Sequence, residues 1–213
     1  MEPLHKKDKE ETKLKLIKAT GEIFMAKGYS GLNASKIADT AGVSKTLVYR
    51  YFGNVQELFK AYLIYKDYWI SFEDKVDDLL EANRHDSGKE LAKNTLENQI
   101  GYFLHSKEMQ QIIRWQITEP NDISRSVADS REQMGEQMFG IIDPYFKDSD
   151  VNFRALMAVS VAGIYFLVLN AKINGSTFCG IDLNKNEDIK EVEKAVKQLV
   201  DLAYEKAKSQ KLN

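Results

Sequence analysis

At 213 residues the chain suits one or two domains with a sizeable core. Its formal net charge of −2 argues against bulk affinity for nucleic acid, and the lone Cys179 excludes an internal disulfide and so implies no oxidising compartment. Pro3, Pro120 and Pro144 are the only prolines and none interrupts a long periodic segment, which favours a mostly helical chain.

Met1 to about Glu11 reads as a charged arm, either a solvated tail or an arm that touches a phosphate or the minor groove. The first helix is expected from about Glu11 to Lys27, with Leu16, Ile17, Ala19, Ile23 and Phe24 at helical spacing and Gly28 closing it. From Asn33 to Phe52 the sequence NASKIADTAGVSKTLVYRYF reads as a helix-turn-helix. Asn33 caps a helix running through Ala41, Gly42 is free to turn left-handed, and Ser44 caps a second helix from Lys45 to Phe52. Ala38 is small enough for the crossing, while Ile37, Ala41, Val43 and Val48 supply an apolar centre. That leaves Ser44, Lys45, Thr46, Tyr49 and Arg50 outward, the polar, basic and aromatic face that a major-groove reader needs. A hairpin that merely packs is the plainer alternative, but caps, turn glycine, crossing alanine and outward face all agree. Charge supports the same end: residues 1–60 carry 11 Lys+Arg against 7 Asp+Glu, net +4, while the rest is net −6.

Asn54 caps a fourth helix with no strong breaker before about Leu80, a span of about 26 residues or roughly 39 Å. As the only covalent link to the rest of the chain, it is the natural lever. Further helices are expected at Gly88–His105, Lys107–Thr118, Ile123–Phe146, Val151–Asn174 and Glu187–Ser209, separated by turn chemistry. The expectation is an all-α chain of about nine helices, with a DNA-binding domain over 1–54 (motif 33–52) and a helical ligand-binding and dimerisation domain over 55–213.

Two apolar stripes in the second domain allow competing readings. Tyr62, Tyr65, Tyr68, Trp69 and Phe72 crowd the fourth helix, as core or as one wall of a ligand pocket. With Phe103, Trp115, Met134, Met138, Phe139 and Tyr165 they could enclose a largely apolar ligand, and Arg114 and Asn170 are the polar groups to test for orienting it. The pocket candidates are Tyr65, Trp69, Phe72, Phe103, Trp115, Met134, Met138 and Tyr165. Phe153, Met157, Ser160, Val161, Ile164, Leu167, Val168 and Ala171 occupy more of their helix's circumference than one neighbour can cover, and Ile189, Val192, Val196, Leu199, Val200, Ala203 and Tyr204 form a stripe on the final helix. Burial within one chain competes with a homodimer seam, for which the candidates are Met157, Ile164, Leu167, Val196, Leu199 and Ala203.

From Thr12 to Leu63 the chain resembles the DNA-binding domain of the tetracycline-repressor (TetR) family. The residues that carry the resemblance are Ile17, Ala19, Phe24 and Gly28-Tyr29, then Ile37-Ala38, Ala41-Gly42-Val43-Ser44, Tyr49, Tyr51-Phe52 and Leu58. It implies an all-α fold, a ligand cavity among the middle helices that touches the fourth, and dimerisation through the last two helices. It also implies backbone contacts from Tyr49 and Tyr51; Ser35, Ser44 and Arg50 are further phosphate candidates, and Lys45 and Thr46 stand where bases are read. Thr46 stands where a glycine is common in the family, and Val55 where a lysine usually meets a phosphate.

Enzyme chemistry is nearly absent. His105 and Glu108 are one turn apart but have no second ligand pair, Cys179 has no histidine near it in sequence, and no glycine-rich loop follows a strand, so no cofactor or metal is expected. The longest apolar run, around Ala155 to Leu169, is broken by Ser160 and Gly163, so a cytoplasmic protein without a membrane span is expected. The reading is a homodimeric regulator, most simply a repressor, that a small, largely apolar molecule releases from a palindromic double-stranded operator. The alternative is a DNA-binding adaptor or organising protein of the same fold with no small-molecule ligand.

Overall fold

A computed structural model describes the backbone of residues 2–67, 76–119 and 121–211, with side chains from residue 8 onward except at Val76. Ten α-helices occupy these residues: α1 Glu2–Lys27, α2 Ala34–Ala41, α3 Thr46–Phe52, α4 Val55–Lys66, α5 Val76–Ala82, α6 Lys89–His105, α7 Lys107–Thr118, α8 Asp122–Phe146, α9 Phe153–Leu169 and α10 Asn186–Lys211. Among the described residues the only β feature is an isolated bridge between Phe178 and Ile181. The all-α expectation holds.

Asparagine starts four of these helices. The side chains of Asn33, Asn54, Asn121 and Asn152 each accept the backbone N–H three residues on, at 2.8–2.9 Å, which satisfies one of the orphan donors of a helix N-terminus. Ser106 does the same for α7 at 3.1 Å.

Two elements differ from the sequence reading. The first helix begins at Glu2, so the arm through Glu11 is helical rather than irregular. The fourth ends at Lys66, 12 residues and about 18 Å after it starts, instead of continuing towards Leu80. Its C-cap, Asp67, is extended (φ −75°, ψ 127°), and its buried carboxylate accepts a hydrogen bond from Nε of Arg131 on α8 at 2.6 Å. A partner 64 residues away thus holds the end of a helix that no local breaker would stop.

Three apolar clusters organise the chain. One lies beneath the helix-turn-helix and one joins α6 through α10. The larger centres on Tyr204, whose ring meets Tyr145, Phe146 and Phe153 at 4.7–5.5 Å and whose hydroxyl donates to the Ser87 carbonyl at 2.7 Å. The third cluster connects the two. Phe24 from α1 and Tyr29 from the 3₁₀ turn after it meet Phe59 of α4 and Trp115 of α7, at centroid distances of 5.0–6.1 Å, with Tyr62, Leu63, Ile112 and Val127 around them. The N-terminal unit is therefore packed on α7 as well as tethered through α4.

Candidate nucleic-acid interface

The turn between α2 and α3 follows from its residues. Gly42 takes a left-handed conformation (φ 66°, ψ 34°), and Val43 N–H reaches back to the Ala38 carbonyl at 3.0 Å, closing the end of α2. Ile37, Ala38 and Val48 are buried to 1% exposure or less, with Leu16, Ala19, Ile23, Ala34 and Leu58 around them. This tight packing sets the angle at which α3 leaves the body.

Helix α3 begins at Thr46, one residue later than expected, with Lys45 already in helical conformation. Ser44 Oγ meets the Thr46 N–H at a long 3.4 Å, so the cap is weak and this hydroxyl keeps capacity for another partner. Ser35, Lys36, Ser44, Lys45, Thr46, Tyr49 and Arg50 are all exposed, and Tyr51 is half-buried with Arg50 and Lys9 each 6.0 Å from its ring centre. Ser35, Ser44, Lys45, Thr46, Tyr49, Arg50 and Tyr51 thus gather around the start of α2 and along α3. Donors and cations dominate this surface, as approach to a polyanion requires.

The family model described as "Bacterial regulatory proteins, tetR family" matches residues 16–62, the same segment. Over that segment the chain is similar to the TetR family. The likeness of fold to solved structures extends beyond that segment. FadR from Bacillus subtilis, solved with stearoyl-CoA, shares the fold with a TM-score of 0.59 at 17% identity over 88% of this chain and 96% of that one. A TetR family transcription regulator from Marinobacter aquaeolei scores 0.62 at 16% identity, covering 91% and 97%, and the fatty acid degradation regulator FadR from Bacillus halodurans scores 0.55 at 17%, covering 87% and 96%. No curated protein matches the chain.

The pocket candidates divide in the TetR-type fold. Phe103 and Met138 are buried in the larger core, with Tyr165 half-buried and 5.0 Å from the Phe103 ring. Met134 is half-buried on α8. Trp115 lies instead in the aromatic joint against Phe24 and Tyr29, and its indole N–H donates to Glu119 at 3.0 Å. Tyr65 is exposed with Lys66 over its ring, and Trp69 and Phe72 lie outside the described residues. Arg114 is exposed and donates to Gln111 one turn back, while the Asn170 amide donates to the carbonyls of Ser176 and Thr177 and so braces the loop after α9. His105 Nδ1 lies 2.7 Å from the Gly101 carbonyl and Glu108 pairs with Lys66 at 2.7 Å, so those two side chains are each engaged elsewhere.

The seam candidates divide as well. Met157, Ile164, Val196 and Ala203 point into their own chain's core, Leu167 is half-buried, and Leu199 is 45% exposed. The apolar residues left outside are Val159 (74% exposed), Phe166 and Leu202 (61%), with exposed Ala155, Ala162 and Ala195 between them. Phe178, from the loop before α10, packs on Phe166 at 4.9 Å and extends this face. The segment Phe153–Asn174 is, contrary to the sequence reading, long and apolar enough by length and composition to cross a membrane, with a mean hydropathy of 1.8 and 28% of its window buried in the chain. A helix can be apolar all round for either of two reasons, a lipid surround or protein on both sides. Here one side already carries Phe153, Met157, Ile164 and Val168 into the core.

Sequence reasoning missed the exposed face because a helix apolar all round does not reveal which side its own chain covers. It also missed Gly21, although a glycine inside a helix signals a close approach. A Cβ there would stand 2.9 Å from Cζ of Tyr62.

Proposed function

We propose that the protein is a homodimeric repressor that reads a palindromic operator with α3 and leaves it when a largely apolar small molecule binds the larger domain. The observation that carries the DNA reading is the exposed face of Lys45, Thr46, Tyr49 and Arg50, held at a fixed angle by the buried Ile37, Ala38 and Val48. The apolar face of α9 and α10 supports the dimer. Against a second copy, Val159, Ala162, Phe166, Ala195, Leu199 and Leu202 would form a four-helix seam with small residues where the helices approach closely. A twofold dimer sets two α3 helices about 34–36 Å apart or further, as a palindromic operator needs.

Ligand control is supported by the joint between domains. Displacement of α4 or α7 by a ligand moves Phe59 or Trp115, both of which touch α1 residues beneath the reading helices. A ligand that favours the released arrangement by about 1–3 kcal/mol is enough for typical coupling. Stearoyl-CoA in the Bacillus subtilis FadR structure supports an effector with a long apolar part.

The test is selection of DNA by the full chain from a random pool, followed by candidate effectors on the selected complex. A palindromic site released by one effector is the expected result. Equal affinity for random and selected DNA would overturn the operator reading, and a selected site that no effector releases would favour the adaptor.

A further inference from the structure

The C-terminal end of α4 is held in a network of polar side chains. Asp67 accepts from Arg131 Nε at 2.6 Å, Arg131 Nη1 donates to Gln116 Oε1 at 3.0 Å, the Tyr102 hydroxyl donates to the Lys66 carbonyl at 2.8 Å, and Lys66 pairs with Glu108 at 2.7 Å. The network is satisfied except on one side. The Tyr62 hydroxyl, both polar atoms of the Gln99 amide and Gln116 Nε2 are buried without a hydrogen bond, while Arg131 Nη2 lies 2.6 Å from the Asp67 carboxylate. Tyr62 and Gln99 are each 1% exposed. An unpaired polar atom is costly in a folded core, so three side chains with spare groups in one region need a reason.

These side chains come from α4, α6 and α7 and are linked in space. Gln116 touches Arg131 directly, Tyr62 lies in the field of Tyr102 and Glu108, and Gln99 sits one turn before Tyr102 on the same face of α6. The spare atoms are unbalanced. The two amide nitrogens can only donate, the Tyr62 hydroxyl can donate, and Gln99 Oε1 is the one pure acceptor. The Gln116 amide cannot cure this by turning over, because its oxygen is already held by Arg131 Nη1.

Charge narrows the class of ligand further. Arg131 is matched by Asp67 and Lys66 by Glu108, so an added anion would leave the network net negative in a place shielded from water. Burial, with the charge of Glu108 and then Tyr102 adding to it, already pushes the Tyr62 phenol up and keeps its proton in place to donate. From the donor surplus and the balanced charge we infer that this region binds the carbonyl oxygen of a neutral effector, an ester, thioester, amide or ketone on an apolar body, and not a free carboxylate. The inference rests on the reading that an effector enters the larger domain and names the chemistry of its polar end.

The experiment is calorimetric titration of the full chain with methyl decanoate, decanoate and n-decane, repeated for Tyr62→Phe and Gln99→Leu, with thermal melts of all three unliganded proteins. Methyl decanoate is expected to bind at least tenfold more tightly than either of the others. Each substitution should weaken it about five- to tenfold, leave decane unchanged, and hold or raise the unliganded melting temperature, because an unpartnered buried group has been removed. Decanoate or decane binding as tightly as the ester overturns the inference, as does ester binding that ignores both substitutions, the result expected if buried water satisfies these atoms. Absence of binding by all three probes also overturns it, without touching the DNA reading. Ester binding with the expected dependences but no release from the selected operator keeps the site and overturns ligand control.

Discussion

Gly21 of α1 lies directly against the ring of Tyr62 on α4, so close that the Cβ of any other residue would overlap the ring. Glycine in a helix interior costs about 1 kcal/mol relative to alanine, and here that cost allows the DNA-binding unit and the base of the larger domain to pack at backbone distance. Gly21→Ala is therefore expected to destabilise the protein by about 1–3 kcal/mol through overpacking, against the usual gain from alanine in a helix. Chemical denaturation measures it. Tyr62→Leu in the same chain should relieve part of the loss, and strict additivity of the two substitutions would show that the contact is not the cause.

Lys45 stands at the start of α3 on its exposed face. If it reads a base edge, Lys45→Ala weakens the selected operator by about 1–3 kcal/mol and leaves random DNA nearly unchanged. Tyr49→Ala and Arg50→Ala should instead weaken both alike and reduce the salt dependence in the case of Arg50. Fluorescence anisotropy on the two DNAs separates the roles. An equal loss on both from Lys45→Ala would make it a phosphate contact.

Val159 is 74% and Leu202 61% exposed, so charge at either position disturbs no packing within its own chain. Val159→Glu with Leu202→Glu should convert a dimer to a folded monomer with an unchanged helical spectrum, at a cost of several kcal/mol in the association. Sedimentation velocity at micromolar concentration reads the outcome. A stable wild-type monomer would remove the proposed source of operator spacing.

Ala61 lies in the middle of α4, between the Asn54 cap and the Asp67 anchor. Glycine there costs about 1 kcal/mol of helix stability and should loosen transmission while largely preserving ligand binding. Paired titrations of ligand binding and operator release on Ala61→Gly measure this. The joint offers a second route, so full release from Ala61→Gly that is lost on adding Trp115→Leu would place the signal on α7 and α1.

Asp201 bridges Lys89 and Lys93 at 2.7 and 2.6 Å and so ties α10 to α6. These hydrogen bonds hold its carboxyl below the usual value of 3.8. A lowered acid contributes stability that is present above the unfolded value and is lost as pH falls through the folded one. Asp201→Asn should therefore cost less than about 1 kcal/mol at pH 7, since the pair is partly exposed and screened, and the difference should start to shrink as pH falls below about 3.8 and vanish only below the lower folded value. Thermal melts across that range, with and without added salt, check both the sign and the window.

Local chemistry alone was enough for much of this molecule. The asparagine at 33, the glycine at 42 and the spacing of Ile37, Ala38 and Val48 specify two crossed helices, because caps, left-handed turns and short helical periods act within a few residues. The all-α class, the exposed face of α3 and most helix boundaries follow for the same reason.

Long-range contacts decided the rest. Nothing between Val55 and Leu80 stops a helix locally, yet α4 ends at Asp67, whose carboxylate is held by Arg131 from another helix. Trp115 has the composition of a pocket wall but packs on Phe24 and Tyr29, because the fold brings α7 against α1. Helix α9 is apolar around its circumference, and periodicity cannot tell the side that its own chain covers from the side left for a partner. Only the placement of α6, α8 and α10 buries Met157 and Ile164 and leaves Val159 and Phe166 outside, since burial is a property of neighbours rather than of the residue.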